Sequence, residues 1–141
     1  MPNMFSSKSQ ERLETCHPDL QRLFTEVLKH WDCTVTCGHR GKAGQDAAVA
    51  SGHSKAPWPT GKHNSLPSNA VDVYPFPIPD PKTDKRAIQK HYMFAGFVLG
   101  TAKQMGIGIR LGADWDGDFD LNDQTLFDLV HFELTETGVQ P

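Results

Sequence analysis

Near the C-terminus, the stretch FDLVHFEL (Phe127 to Leu134) sets Asp128, His131 and Glu133 into an apolar run, and far upstream NAVDVYP sets Asp72 into another. The Gly/Pro-rich stretch ahead of Asp72 contributes His63. Histidine and aspartate are side chains that hold Zn(II), and a set of three protein ligands leaves a coordination position for water, as hydrolytic zinc requires and structural zinc does not. His63, Asp72 and His131 make such a set. The water then needs a base to take its proton and pass it to the leaving group. Asp128, close to His131 in the chain without being a further ligand, is the candidate for that general base and acid. Glu133 falls on the same strand face as His131 and is either a partner that holds the imidazole or a competitor for the role of base. A satisfied hydrogen-bonded pair would also account for Asp72 and His131.

These residues need elements to position them. In LVHFELT, Val130, Phe132 and Leu134 alternate with His131 and Glu133, the pattern of a strand with one apolar face and one face turned to a cleft. An odd offset reverses the face, so Asp128 is expected before the strand proper, on the turn leading in. In NAVDVYP, Val71 and Val73 face the core while Ala70, Asp72 and Tyr74 face the other way. Residues Pro18 to Trp31 carry Leu20, Leu23, Phe24, Val27, Leu28 and Trp31 at helical spacing. CTVTC (Cys33 to Cys37) reads as a short strand, Ala43 to Ala50 as a small helix, and IGIRLGADW as another strand. Asp84 to Met105 reads as a long helix burying Tyr92, Phe94, Ala95, Val98, Leu99 and Ala102, stopped by Gly106 and Gly108. Long helices with a few short strands that rarely follow one another predict an α+β fold, a small antiparallel sheet packed against helices in a single domain.

A chain of 141 residues suits one domain, with 38% hydrophobic and 22% charged residues and no low-complexity tract. The net charge of −3 and scattered Lys and Arg argue against nucleic acid as a partner. Cys16, Cys33 and Cys37 are odd in number and lack CxxC spacing, so neither a disulfide framework nor a cysteine zinc site is indicated, and Cys33 and Cys37 are expected to pack as small apolar groups. No N-terminal stretch resembles a signal peptide and no apolar run is long enough for a membrane span, so synthesis in the cytoplasm is expected.

Other polar groups compete for attention. The loop DWDGDFDLND offers Asp114, Asp116 and Asp118 as a possible calcium site, although its glycine comes too early for an EF-hand and no closing glutamate follows, and a solvated turn explains the loop as well. His17, His30, His53 and His91 are assigned to solvent-exposed positions, with His39 beside Arg40 left open. Trp58, Tyr74, Phe76, Trp115 and Phe119 either line a groove or, the preferred reading, pack loops onto the domain.

The segments KHN, PSNAVDVYPFP, GADWDGDFD and FDLVHFEL, taken together, resemble the zinc peptidases of the D-alanyl-D-alanine carboxypeptidase and phage L-alanyl-D-glutamate endopeptidase family, over about Gly38 to Leu134. The resemblance implies one zinc per chain on His63, Asp72 and His131, with Asp128 as catalytic carboxylate. In GHRGKAGQ it implies Arg40 as the cation that stabilises the oxyanion and holds substrate, supported by Gln45; an ordinary surface arginine is the alternative. The spacing from His63 to Asp72 is longer than is common in the family, and Gly61 stands where a serine is usual. The implied activity is hydrolysis of a peptidoglycan stem-peptide bond, L-alanyl-D-glutamate, by a phage or prophage endolysin. Residues 1–141 would form one catalytic domain without a separate wall-binding domain, acting as a monomer and reaching the wall once the host membrane is permeabilised. Two alternatives are a D-alanyl-D-alanine carboxypeptidase or dipeptidase, and a zinc-binding recognition domain without catalysis.

Overall fold

A computed structural model describes residues 2–114, 117 and 128–135. Among these lie helices α1 (Ser7–Leu13), α2 (Pro18–His30), α3 (Lys42–Ala50) and α4 (Ala87–Met105), and strands β1 (Cys33–Cys37), β2 (Ala70–Pro75), β3 (Ile109–Gly112) and β4 (Asp128–Leu134). The strands form one antiparallel sheet in the order β1-β2-β4-β3, the α+β architecture that the alternation of long helices and isolated strands predicts.

The apolar stripe of α2 buries Leu20, Leu23, Phe24 and Val27 completely, and α4 adds Phe94, Ala95, Val98 and Ala102. Phe132 of β4 stands edge-on to Phe24 at 5.5 Å between centroids, and Trp31 meets Phe94 at 5.3 Å. Burying each such ring is worth roughly 2–3 kcal/mol, so this face anchors the sheet and leaves the opposite face for polar work. Tyr92, expected on the buried side of α4, is instead 37% exposed. Gly106, at φ +73°, ends α4 in the left-handed conformation that glycine adopts without a Cβ penalty.

The sequence gives little sign of α1, which has seven residues and buries only Ser9 and Leu13. Its work is to satisfy the free edge of β1. The Ser9 hydroxyl accepts the Val35 N–H at 3.0 Å, Arg12 donates to the Val35 carbonyl at 3.1 Å, and the Thr15 hydroxyl accepts the His39 N–H at 2.8 Å. An edge strand otherwise offers unpaired backbone groups to other chains; here side chains occupy them and fix the segment that runs on to Gly38 and Arg40.

Candidate metal centre

Register brings the polar residues of three strands into one row. Cys37 of β1 lies opposite Asp72 of β2, and Asp72 lies opposite His131 of β4. His63 reaches the row from a 3-10 turn, Lys62–Asn64, whose entry is held by the Gly61 N–H donating to Asn64 Oδ1 at 2.9 Å. His63 Nε2 lies 3.1 Å from Asp72 Oδ1 and 3.2 Å from His131 Nδ1, and His131 Nδ1 lies 3.4 Å from Asp72 Oδ1.

The partners on the far side of each ring set its tautomer. His63 Nδ1 faces the Gly38 carbonyl at 2.7 Å, and His131 Nε2 faces Glu133 Oε1 at 2.8 Å. Both outer atoms must donate, since carbonyl and carboxylate oxygens only accept. The inner atoms, His63 Nε2 and His131 Nδ1, then present lone pairs to each other and to a carboxylate oxygen. Three mutually facing acceptors within 3.4 Å call for a cation. Ligands at the usual ~2.0–2.1 Å from a tetrahedral zinc stand about 3.3 Å apart, so the donor set fits that ion.

The electrostatics follow from this crowding. Burial works against protonating either ring, but hydrogen bonds to Asp72, joined by Cys37 for His63 and Glu133 for His131, outweigh it: His63 rises to about 10, and His131 is raised as well. Burial likewise opposes charging Asp72, and hydrogen bonds from the two imidazoles overcome it and hold its carboxyl far below the usual range.

Asp128 lies with Asp72 and His131 in a group whose ligand atoms are within 4.8 Å of one another. Burial, followed by the negative charge of Asp72, keeps its carboxyl above the usual range. The expectation that Asp128 precedes the strand needs correcting, because it is the first residue of β4 and pairs with Gly112. The β3–β4 register slips between Leu111, opposite Phe132, and Gly112, opposite Asp128. In this irregular stretch Leu129 packs against the core, while Val130, expected on the core face, lines the cleft with Asp128. A bulge of this kind cancels the odd offset and lets Asp128 and His131 serve one site. Gly112 permits it, since a Cβ there would lie 2.6 Å from the Asp128 carbonyl oxygen and 2.9 Å from His131 Cβ.

Glu133 is turned away from the cleft. Its Oε1 takes the His131 N–H, its Oε2 accepts from Arg110 Nη2 at 2.9 Å, and only 5% of the residue is exposed. Arg40, 19% exposed at its side chain, places Nη2 3.6 Å from Asp72 Oδ2 and donates from Nη1 to Gln45 Oε1 at 3.1 Å. Gln45, on α3, is 1% exposed and also accepts from Asn64 Nδ2 at 3.1 Å and donates to the Ser54 hydroxyl at 2.9 Å. One buried amide thus ties Arg40, the turn that carries His63 and the loop after α3 together. Gly44 leaves room for the arginine stem, as a Cβ would lie 2.9 Å from Arg40 Cγ.

A cleft of about 410 Å³ opens over Asp72 and Asp128, walled by Arg40, α3, Tyr74 and Val130. Two of its features, His53 and Cys37, escaped the sequence, while Tyr74 stands on the open face that alternation predicts and lines the cleft rather than packing a loop. Tyr74 also stacks edge-on with His91 at 5.7 Å. His53, assigned above to a solvent-exposed position, is exposed but stands on the cleft wall. Cys37 is half-buried 3.6 Å from Arg40 Nη2 and 3.8 Å from His63 Nδ1, where the β1 register slips after Val35, so it is part of the polar site rather than a plain apolar filler. Of the acidic loop, Asp114 is buried, whereas Asp116 and Asp118, with Trp115 and Phe119, lie outside the described residues.

The sequence model of the phage L-alanyl-D-glutamate peptidases matches residues 1–135. The chain belongs to that family. It is 27% identical over 135 residues to the L-alanyl-D-glutamate peptidase of Escherichia phage T5, covering 92% of this chain and 96% of that protein. The crystal structure of the Serratia marcescens L-Ala D-Glu endopeptidase ChiX superposes with a TM-score of 0.66 at 27% identity, covering 94% of this chain and 91% of that one. A peptidase of this family is an enzyme of peptidoglycan hydrolysis. Among the described residues, no helix is long and apolar enough to cross a membrane.

Proposed function

We propose that the chain is a zinc-dependent endolysin that hydrolyses the L-alanyl-D-glutamate bond of the peptidoglycan stem peptide, with His63, Asp72 and His131 holding the ion. The observation that carries this reading is the trio of inward-facing acceptor atoms 3.1–3.4 Å apart. Bound there, zinc supplies a Lewis acid and lowers the pKa of water toward neutrality. The protein's own groups do the rest. Asp128 takes the proton of the attacking water and returns it to the amine of the departing D-glutamyl residue, a transfer suited to a carboxyl held above its usual range. Arg40, clamped by Gln45, offers its guanidinium to the oxygen that gains charge as the carbonyl becomes tetrahedral. Glu133 keeps the His131 proton on Nε2, so that Nδ1 stays a lone-pair donor. The enzyme works as a monomer, made in the host cytoplasm, and meets its substrate when the membrane is opened.

The test is hydrolysis of purified peptidoglycan with mass analysis of the products. Wild-type protein should carry one zinc, lose activity to a chelator and regain it with zinc, and release stem peptides that begin at D-glutamate. Asp128→Ala should keep the metal and lose turnover. Loss of a terminal alanine instead would favour a carboxypeptidase, and an Asp128→Ala protein with full activity would overturn the assigned mechanism.

A further inference from the structure

The wall of the cleft facing the candidate metal centre is α3, and its end is built with unusual care for a surface feature. Ser51 caps the helix, Gly52 follows at φ +83°, the Gly52 N–H reaches the Val49 carbonyl at 3.2 Å, and the His53 N–H reaches the Ala48 carbonyl at 2.9 Å. This pair of bonds is the Schellman motif, which reverses the chain and fixes the residue after the glycine. That residue is His53. Its Nδ1 lies 2.6 Å from the Ser51 hydroxyl, so the ring is held in the side chain as well as the backbone, while Nε2 has no protein partner among the described residues. The side of α3 turned to the cleft is small, with Gly44, Ala47 and Ala48, which leaves a channel between Arg40 at one end and His53 at the other.

Charge decides what such a channel accepts. Among the described residues that line it are two carboxylates, Asp72 and Asp128, and two basic side chains, Arg40 and His53. Asp72, Asp128 and Arg40 are committed to the reaction centre. A D-glutamyl residue has two carboxyl groups, one continuing the stem peptide and one left over, and that spare carboxylate must be accommodated in a cleft which already holds two acids. An unpaired carboxylate beside these acids would be repelled, and a rigidly mounted N–H donor is what makes its binding favourable.

We infer that His53 is a specificity-determining residue that binds the free carboxylate of the D-glutamyl residue through Nε2–H, its ring held at Nδ1 by the Ser51 hydroxyl. This rests on the stem-peptide reading above and names the substrate group which that reading leaves unassigned. Because the Schellman turn mounts the ring, discrimination between carboxylate and carboxamide is built into α3 rather than into the metal centre.

The experiment uses the zinc-loaded enzyme and two synthetic muropeptides that differ only in whether the spare D-glutamyl carboxyl is free or amidated. For His53→Ala, KM for the free acid should rise about tenfold, with kcat changed by less than about twofold and zinc content unchanged, as the loss of one hydrogen bond to a charged group implies. With the amidated peptide, wild type and His53→Ala should differ by less than about twofold. His53→Gln, which keeps a donor, should recover part of the affinity for the acid. Equal effects of His53→Ala on both peptides, or no effect on either, would overturn the assignment while leaving the hydrolytic reading intact. Wild-type enzyme that cleaves neither peptide would overturn both.

Discussion

Glu133→Gln separates the two roles that the sequence leaves open for this residue. The carboxylate accepts from His131 Nε2 at 2.8 Å through one oxygen and from Arg110 Nη2 at 2.9 Å through the other. A glutamine has one acceptor and one donor end, so it cannot serve both. Arg110 has only donors, so the amide oxygen turns to it and the NH2 group faces His131 Nε2. That nitrogen must then accept, which moves the ring proton to Nδ1, the atom 3.2 Å from His63 Nε2 and 3.4 Å from Asp72 Oδ1. Before Nδ1 can ligate, the ring must give up this tautomer. Loss of such a supporting partner costs about 10–100-fold in metal affinity, or about 1.4–2.7 kcal/mol. The assay is competition for zinc against a chromophoric chelator at pH 7, with kcat measured separately at saturating zinc. Weaker zinc binding by 10–100-fold with kcat within a few-fold of wild type is expected. Unchanged zinc affinity with kcat reduced a hundredfold or more would refute the reasoning and make Glu133 the base.

Three further outcomes follow from the same geometry. Gly112→Ala places a Cβ 2.6 Å from the Asp128 carbonyl oxygen and 2.9 Å from His131 Cβ, so it should lower kcat at least about tenfold through misplacement of the base while the protein still folds; a circular dichroism spectrum like that of wild type with full activity would contradict this. Arg40→Lys keeps the charge but loses the planar fork held by Gln45, and kcat should fall about 10²–10³-fold with zinc content unchanged; a fully active lysine variant would remove Arg40 from the reaction. His63 is raised to about 10 and His131 is raised too, so protons compete with zinc for these rings and a ligand imidazole must lose its proton to bind. Zinc binding should therefore release protons and tighten as pH rises from 6 to 8, measured by calorimetry in buffers of different ionisation enthalpy; binding without proton release would contradict the assigned ligands.

Much of this site was legible because strand alternation is a strong signal. Asp72 and His131 each interrupt an apolar strand, and in the fold they are direct cross-strand neighbours. His63 was visible only as a ligand type in the Gly/Pro-rich stretch ahead of Asp72, at a spacing longer than is common in the family, since a turn residue follows no period. What periodicity could not give was the slip in register at Gly112, because a bulge adds a residue without marking the sequence around it. That slip reversed the expected side of Val130 and placed Asp128 within the strand. Cys37 was misjudged for the same reason, through the irregularity after Val35. The role of α1 and the turn after it was invisible because their value lies in three polar side chains, Ser9, Arg12 and Thr15, meeting the β1 edge and the residues just past it some twenty-five residues away, and no local pattern encodes that pairing. His53 was overlooked as one exposed histidine among seven; the clue was Ser-Gly-His at a helix end, which is turn chemistry rather than ligand chemistry.

The central claim is that two imidazoles and one carboxylate, without sulfur, grip one ion. Zinc K-edge absorption spectroscopy on the wild-type protein reports this directly. The account predicts one zinc per chain with a shell of nitrogen and oxygen at about 2.0–2.1 Å and the multiple-scattering signature of two imidazoles. A sulfur at about 2.3 Å, which would bring Cys37 into the ligand shell, or protein that binds no zinc at all, would contradict it.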